Sequence, residues 1–233
     1  MTWFYLAHAA FHTLGISVPT LVDAVLGKSS LQAQDERLIA WSRRVLNFAG
    51  VGLDVTYEAE LSPDEAFVVM SNHQSLYDIP VIYSALQRRI RMVAKKELFS
   101  VPIWGRAMRE AGMVELDRGN HRAALASLDN ARAAVARGIS IWIAPEGTRS
   151  PDGRLANFKR GGFRLAIATG ARILPVTIDG TRNVLAAQSR IVHPNQSVRV
   201  VVHEPVATQG RTDSELSELV RLVQDKIQGG FRS

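Results

Sequence analysis

Short apolar runs alternate with longer mixed stretches from Val51 to the end of the chain. Leu53–Tyr57, Phe67–Met70, Ile90–Val93, Met113–Leu116, Ile139–Ile143, Ile173–Ile178 and Val198–His203 are each four to six residues long and rich in Val and Ile, which is strand length and strand composition. Between and after them, Ile79–Leu86, Pro102–Glu110, Arg122–Arg137, Gly162–Thr169 and Asp213–Ile227 read as helices. The Arg122 helix turns Leu125, Leu128 and Val135 inward and meets Gly138, a C-cap residue. The last helix carries Leu216, Leu219, Val220, Val223 and Ile227 on one stripe and stops at Gly229. This alternation predicts an α/β fold, with a mixed, largely parallel sheet covered by helices on both faces.

The first fifty residues follow a different pattern. An apolar stretch runs from Trp3 to Leu26, but His8, His12, Pro19 and Asp23 interrupt it before the ~20 apolar residues of a simple membrane span accumulate. It also lacks the basic start and the cleavage site of a secretory signal. Aromatic residues near its start suit a helix lying in the headgroup zone of a membrane; a core helix packed on the rest of the chain is the other reading. After the turn Gly27-Lys28-Ser29-Ser30, the segment from Leu31 to Phe48 places Leu38, Trp41, Val45 and Phe48 on one stripe and Arg37, Arg43 and Arg44 off it. The expected organisation is a helical hairpin over 1–50, interfacial or core-packed, and an α/β domain over 51–233. A basic rim on the hairpin gains about 1 kcal/mol per Lys or Arg against anionic lipid, although a solvated helix face accounts for the same residues.

Composition narrows the function classes. A chain of 233 residues with 46% hydrophobic content can bury one sizeable core, and no internal repeat or low-complexity linker divides it. Cysteine is absent, which excludes disulfides, a thiolate nucleophile and a cysteine-based metal site. His8, His12, His121, His193 and His203 have no ligand-like spacing, so no metal is expected. The formal charge of +6 points to an anionic partner: a nucleic acid, a phospholipid surface or a phosphorylated small molecule. The charge concentrates in Arg88, Arg89, Arg91, Lys95 and Lys96, and in Arg149, Arg154, Lys159, Arg160 and Arg164. Few aromatics are interleaved and no helix-turn-helix is evident, so nucleic acid is not the expected partner.

The candidate chemistry follows the second predicted strand. Asn72-His73-Gln74-Ser75-Leu76-Tyr77-Asp78 puts a histidine and a carboxylate at the carboxyl end of Phe67–Met70, the edge where open α/β sheets hold ligands. His73 can serve as a base near neutral pH, with Asp78 taking the proton of one ring nitrogen and leaving the other for a substrate hydroxyl. A turn capped by Asn72 or Ser75 explains the same residues in purely structural terms. Ser75 is not expected to be a nucleophile, because no G-x-S-x-G elbow surrounds it. The strand Ile139–Ile143 then runs into Pro145-Glu146-Gly147-Thr148-Arg149-Ser150. Arg149 offers a planar fork for phosphate, Gly147 lets the backbone come close, and Thr148 adds a hydroxyl. Glu146, repelled by phosphate, either bonds a substrate oxygen, braces Arg149 or is a surface turn carboxylate.

Four ordered blocks together resemble the lysophosphatidic acid acyltransferase family, within the glycerolipid acyltransferase superfamily. Asn72 to Asp78 matches its N-H-x-S-x-x-D box, Gly112 to Arg118 a glycine, apolar stretch and Asp-Arg, Pro145 to Ser150 its P-E-G-T-R-S run, and Leu174 to Ile178 its apolar-Pro-Val strand. Glu115 and Ala144 depart from the pattern, where an apolar and an aromatic residue are usual. The resemblance implies transfer of a long-chain acyl group from acyl-CoA or acyl-acyl carrier protein, as co-substrate rather than cofactor, to the free hydroxyl of lysophosphatidic acid. The product is phosphatidic acid, made at a phospholipid membrane surface on the cytoplasmic face of the inner membrane. It implies that Arg118 helps to bind the lysophospholipid acceptor, and Lys95, Lys96 and Lys159 are candidates for a supporting phosphate cradle. Acylation of another lyso-lipid, such as lyso-ornithine lipid, and a non-catalytic basic module that binds membranes or nucleic acid are the competing readings.

Overall fold

The protein is described from a computed structural model covering residues 2–116 and 121–232, with the side chains of all of these but 2 and 121–127. Helices α1 (Thr2–Val25) and α2 (Leu31–Phe48) come first, followed by β1 (Gly52–Tyr57), β2 (Val68–Ser71), α3 (Asp78–Leu86) and β3 (Ile90–Lys95). The chain continues through α4 (Lys96–Phe99), α5 (Trp104–Glu110), β4 (Val114–Leu116), α6 (His121–Ala136), β5 (Ser140–Ile143) and α7 (Gly161–Thr169). It ends with β6 (Ile173–Asp179), α8 (Thr181–Val184), β7 (Ser197–Val202) and α9 (Leu216–Gly229). The seven expected strands are all present, their ends moved by one or two residues. The one-turn helices α4 and α8 are additions, too short to leave a periodic signal.

The seven strands form one sheet in the order β1-β7-β6-β2-β5-β3-β4. Neighbours are parallel except β6 and β7, which are antiparallel, so β1 and β7 run against the other five. β2 lies at the centre of the sheet, and its four residues are buried. Its side chains alternate between two cores: Val69 joins the cluster beneath α2 and α3, whereas Val68 and Met70 join Phe163 and Leu219 beneath α7 and α9. Both faces are therefore covered, as the alternation predicts. Because β2, β5, β3 and β4 point the same way, the loops leaving them gather at one edge, and that edge carries the candidate chemistry.

The hairpin packs on the core with one face, as the core reading expects, and exposes apolar residues on the other. Tyr5, Leu6, Ala9 and Ile16 of α1 pack on the core with Trp41 of α2. On the other side Trp3, Phe11, Leu14, Val18, Val22 and Val25 recur every three to eight residues as an exposed apolar stripe. Ser30 caps α2 by accepting the Ala33 N–H, and Pro19 is accommodated inside α1. Among the described residues, no helix is long and apolar enough to cross a membrane.

The basic run between Arg88 and Lys96 is not one patch. Arg91 is 1% exposed and donates to Asp35 Oδ1 at 2.6 Å, and Arg89 lies 3.4 Å from the same carboxylate. Arg88 donates to the carbonyls of Ser62, Pro63 and Glu65. These three guanidinium groups belong to the amino end of β3, where they fasten α2 and the loop before β2. Lys95 stands at the other end of the strand, about 13 Å away at 3.3 Å per residue. Closeness in sequence becomes separation in space because the strand is extended.

Candidate active site

The chain leaves β2 through a loop in which nearly every polar group is committed. Asn72 donates from Nδ2 to the Ile178 carbonyl at 2.8 Å and accepts the Ile178 N–H at 2.8 Å, which locks the loop to β6. Asp78, the first residue of α3, is 0% exposed. Its Oδ2 accepts the N–H groups of Gln74 and Ser75 at 2.7 and 2.9 Å and lies 2.7 Å from His73 Nδ1. Its Oδ1 accepts the Thr181 hydroxyl at 2.5 Å. An ionised carboxylate can only accept, so the neutral imidazole carries its proton on Nδ1 and presents Nε2 as a bare lone pair. The ring is 20% exposed, open enough to meet a substrate.

The capped-turn reading holds in part, through Ser75 and not through Asn72 or a cap on α3. The helix begins after Tyr77 with no side-chain cap, and Asn72 is spent on Ile178. Ser75 donates to the Leu185 carbonyl at 2.7 Å and accepts the Tyr77 N–H at 3.1 Å, so it steadies the loop.

The loop after β5 grips the same histidine by its backbone. Gly147 has φ +73°, a conformation glycine adopts at little cost, and its N–H closes a turn onto Ala144. That turn directs Glu146 inward, where it is 3% exposed. Its Oε1 accepts the His73 N–H at 2.7 Å and its Oε2 the Ala156 N–H at 2.9 Å. The Ser150 N–H donates to the His73 carbonyl at 2.7 Å. Both peptide groups flanking the His73 ring are thus held from the Pro145–Ser150 loop. Burial pushes the Glu146 carboxyl above the usual range, while the two N–H donors and the nearby imidazole pull it back. Glu146 is neither a surface carboxylate nor a brace for Arg149: it is the anchor of the His73 backbone. Glu146→Gln is expected to destabilise the fold by about 1–3 kcal/mol and to lower turnover, because the amide NH2 must face one of the two N–H donors. Thermal melting and kcat measured together check this, and a variant unchanged in both would remove the anchoring role.

The remaining candidates fall at the same edge to different degrees. Arg149 is half-buried, adjoins Ser150, and among the described residues has no ion-pair or hydrogen-bond partner. Thr148 is exposed beside it. Lys159 is exposed, and its N–H donates to the Pro145 carbonyl at the base of the loop. Lys95 and Lys96 leave β3, two strands from β2 and roughly 10 Å across the sheet. Arg118 lies outside the described residues. Thr181 carried no signal in the sequence, since 103 positions separate it from Asp78. Among the described residues no group of three His, Asp or Glu side chains is placed to hold a metal ion.

The histidine–aspartate pair at the carboxyl edge of the mixed sheet and the P-E-G-T-R-S loop beside it are two of the blocks by which the sequence resembles the glycerolipid acyltransferases. The family described as Acyltransferase matches residues 53–179, and the chain belongs to that family. It is similar to the chloroplastic 1-acyl-sn-glycerol-3-phosphate acyltransferase LPAT1 of Arabidopsis thaliana, with 37% identity over 145 residues, which cover 62% of this chain and 40% of that one. It is also similar to 1-acyl-sn-glycerol-3-phosphate acyltransferase alpha of Mus musculus, 28% identical over 91% of this chain and 74% of the relative. The crystal structure of the 1-acyl-sn-glycerophosphate (LPA) acyltransferase PlsC from Thermotoga maritima superposes with a TM-score of 0.80 at 25% identity, covering 98% of this chain and 93% of that chain. The chain spans less than half the length of the plant relative.

Proposed function

We propose that the protein transfers a long-chain acyl group from a thioester donor to the free hydroxyl of lysophosphatidic acid, releasing phosphatidic acid. One observation carries the reading: Asp78 holds Nδ1 of His73, leaving Nε2 without a partner among the described residues, next to a loop whose arginine likewise has none among them. His73 takes the hydroxyl proton as the alcohol oxygen attacks the thioester carbonyl, the C–S bond breaks, and the proton passes to the departing thiolate. No acyl-enzyme is needed, because the donor is already activated. Arg149 binds the acceptor phosphate, supported by Thr148, Lys95, Lys96 and Lys159.

In this reading the acyl chain occupies an apolar cavity of about 230 Å³. It lies among the hairpin, α3 and α5, lined by Leu6, Leu38, Ile79, Met92, Trp104 and Met108. Leu76 and Tyr77 also line it, which brings it to the His73 loop. A larger open cleft of about 1090 Å³ lies around Tyr57, Glu60, Arg88 and Arg137 at the other end of the sheet, but its Arg88 is already bonded to three carbonyls. Ala107 is buried and borders the apolar cavity, so Ala107→Phe is expected to reject the longest acyl donors and keep the shorter ones. A series of donors of graded length checks this; unchanged selectivity would move the chain elsewhere.

The exposed stripe of α1 supports a membrane surface as the site of work, and the family resemblance suggests the cytoplasmic face of the inner membrane. Acyl-CoA and acyl-acyl carrier protein are both open as donors. Purified protein with anionic vesicles, each donor in turn and a panel of lyso-lipids, read by mass spectrometry, tests the proposal. Phosphatidic acid is the expected product. A preference for lyso-ornithine lipid or another phosphate-free acceptor would replace the acceptor, and no acylation from either donor would overturn the reading.

A further inference from the structure

The end of β6 and the stretch after it touch the His73 loop at three points. Ile178 exchanges two hydrogen bonds with Asn72, Leu185 accepts the Ser75 hydroxyl, and between them Thr181 of α8 donates to Asp78 Oδ1. The stretch is itself rigidly set. Thr181 and Val184 are 0% exposed, and Gly180, at φ +110°, approaches β7 so closely that a Cβ there would lie 2.6 Å from the Ser197 carbonyl. Residues 178–185 thus form a fixed surface against which the loop is pressed.

We infer that Thr181 is a positioning residue for the acid–base pair: its hydroxyl fixes the Asp78 carboxylate so that Oδ2 lies in line with His73 Nδ1. The inference rests on the reading of His73 as the base. The two carboxylate oxygens divide the work. Oδ2 takes the imidazole and two peptide N–H groups, whereas the recorded partner of Oδ1 is Thr181. A buried carboxylate oxygen without a donor is costly, and the carboxylate would rotate or hold a proton to relieve it. In either case His73 loses its orientation or its acceptor. Glu146 is a charged group facing the pair, whereas Asn72, Ser75 and Thr181, on the other sides, are neutral.

The test uses the full chain with vesicles and compares Thr181→Val, Thr181→Ala, Thr181→Ser and His73→Ala by kcat, KM, the pH profile of kcat/KM and thermal melting. Thr181→Val and Thr181→Ala are expected to lower kcat about 10- to 100-fold with KM for both substrates little changed. The acid limb of their pH profile should move to higher pH, because a carboxylate deprived of its donor lets the pair retain a proton more readily. Thr181→Ser keeps the hydroxyl and should restore both rate and profile. A merely structural threonine would lower the melting temperature and leave the acid limb in place, and that outcome overturns the inference. So would failure of Thr181→Ser to restore the profile in a folded protein. Wild-type-like Thr181→Val beside an inactive His73→Ala would overturn the positioning role alone. An active His73→Ala would overturn the base assignment and this inference with it.

Discussion

Replacement of His73 by alanine is expected to lower kcat about 10²- to 10⁴-fold, the usual contribution of a positioned general base, while the protein stays folded. The surroundings make this a clean experiment. The ring is partly open to solvent, and its side-chain hydrogen bond is to Asp78. When the ring is removed, that carboxylate still accepts the N–H groups of Gln74 and Ser75 and the Thr181 hydroxyl, so no buried charge is left without donors. The His73 N–H and carbonyl, held by Glu146 and Ser150, are backbone groups that alanine also possesses. Stability should therefore change by less than about 1 kcal/mol, the range of substitutions that leave buried polar groups satisfied. Asp78→Ala would be a poor substitute, because it strands those three donors and confounds stability with rate. Rates of acyl transfer and melting curves on the same preparations decide the matter, and near-normal turnover in folded His73→Ala would end the base assignment.

Arg149→Ala is expected to lower kcat/KM for lysophosphatidic acid about 10- to 150-fold, as for loss of hydrogen bonds to a charged group worth about 1.5–3 kcal/mol. Most of the loss should appear in KM, because the phosphate is present in ground state and transition state alike. Arg149→Lys should not restore it. A lysine supplies a point charge, whereas a guanidinium meets two phosphate oxygens with a planar fork. Neither change should affect folding, since Arg149 has no partner among the described residues. A phosphate-free lyso-lipid run in parallel should show no difference between variant and parent. Full activity of Arg149→Lys, or an equal loss on both acceptors, would discard the phosphate clamp.

The site was partly readable before folding was considered. His73 and Asp78 lie five positions apart, so one loop brings them together and a local pattern suffices to pair them. Glu146 shows where local reading stops. As a carboxylate beside Arg149 it suggests a role with substrate, whereas its two oxygens each accept a backbone N–H. That assignment depends on β5 lying beside β2, a pairing no local pattern contains. The basic run after Arg88 misled for the complementary reason: an extended strand sends its two ends to opposite edges, and Arg91 turned out to be a buried structural ion. The sequence pattern places residues 1–50 in two helices, but that α1 is half core and half surface follows only from packing.

By itself the sequence determined the local quantities. The spacing of apolar residues defined seven strands and the main helices, and adjacent residues defined the His-Asp pair and the glycine-bearing arginine turn. Tertiary structure decided the strand order, with β1 and β7 reversed against the rest, the burial of Glu146 and Arg91, the apolar cavity beneath the hairpin, and the contact of Thr181 with Asp78. The division is physical. Periodicity and turn chemistry act over a few residues and are written in the chain, whereas strand pairing joins positions 145 residues apart and buried hydrogen bonds positions 110 apart. Their partners exist only once the sheet has assembled.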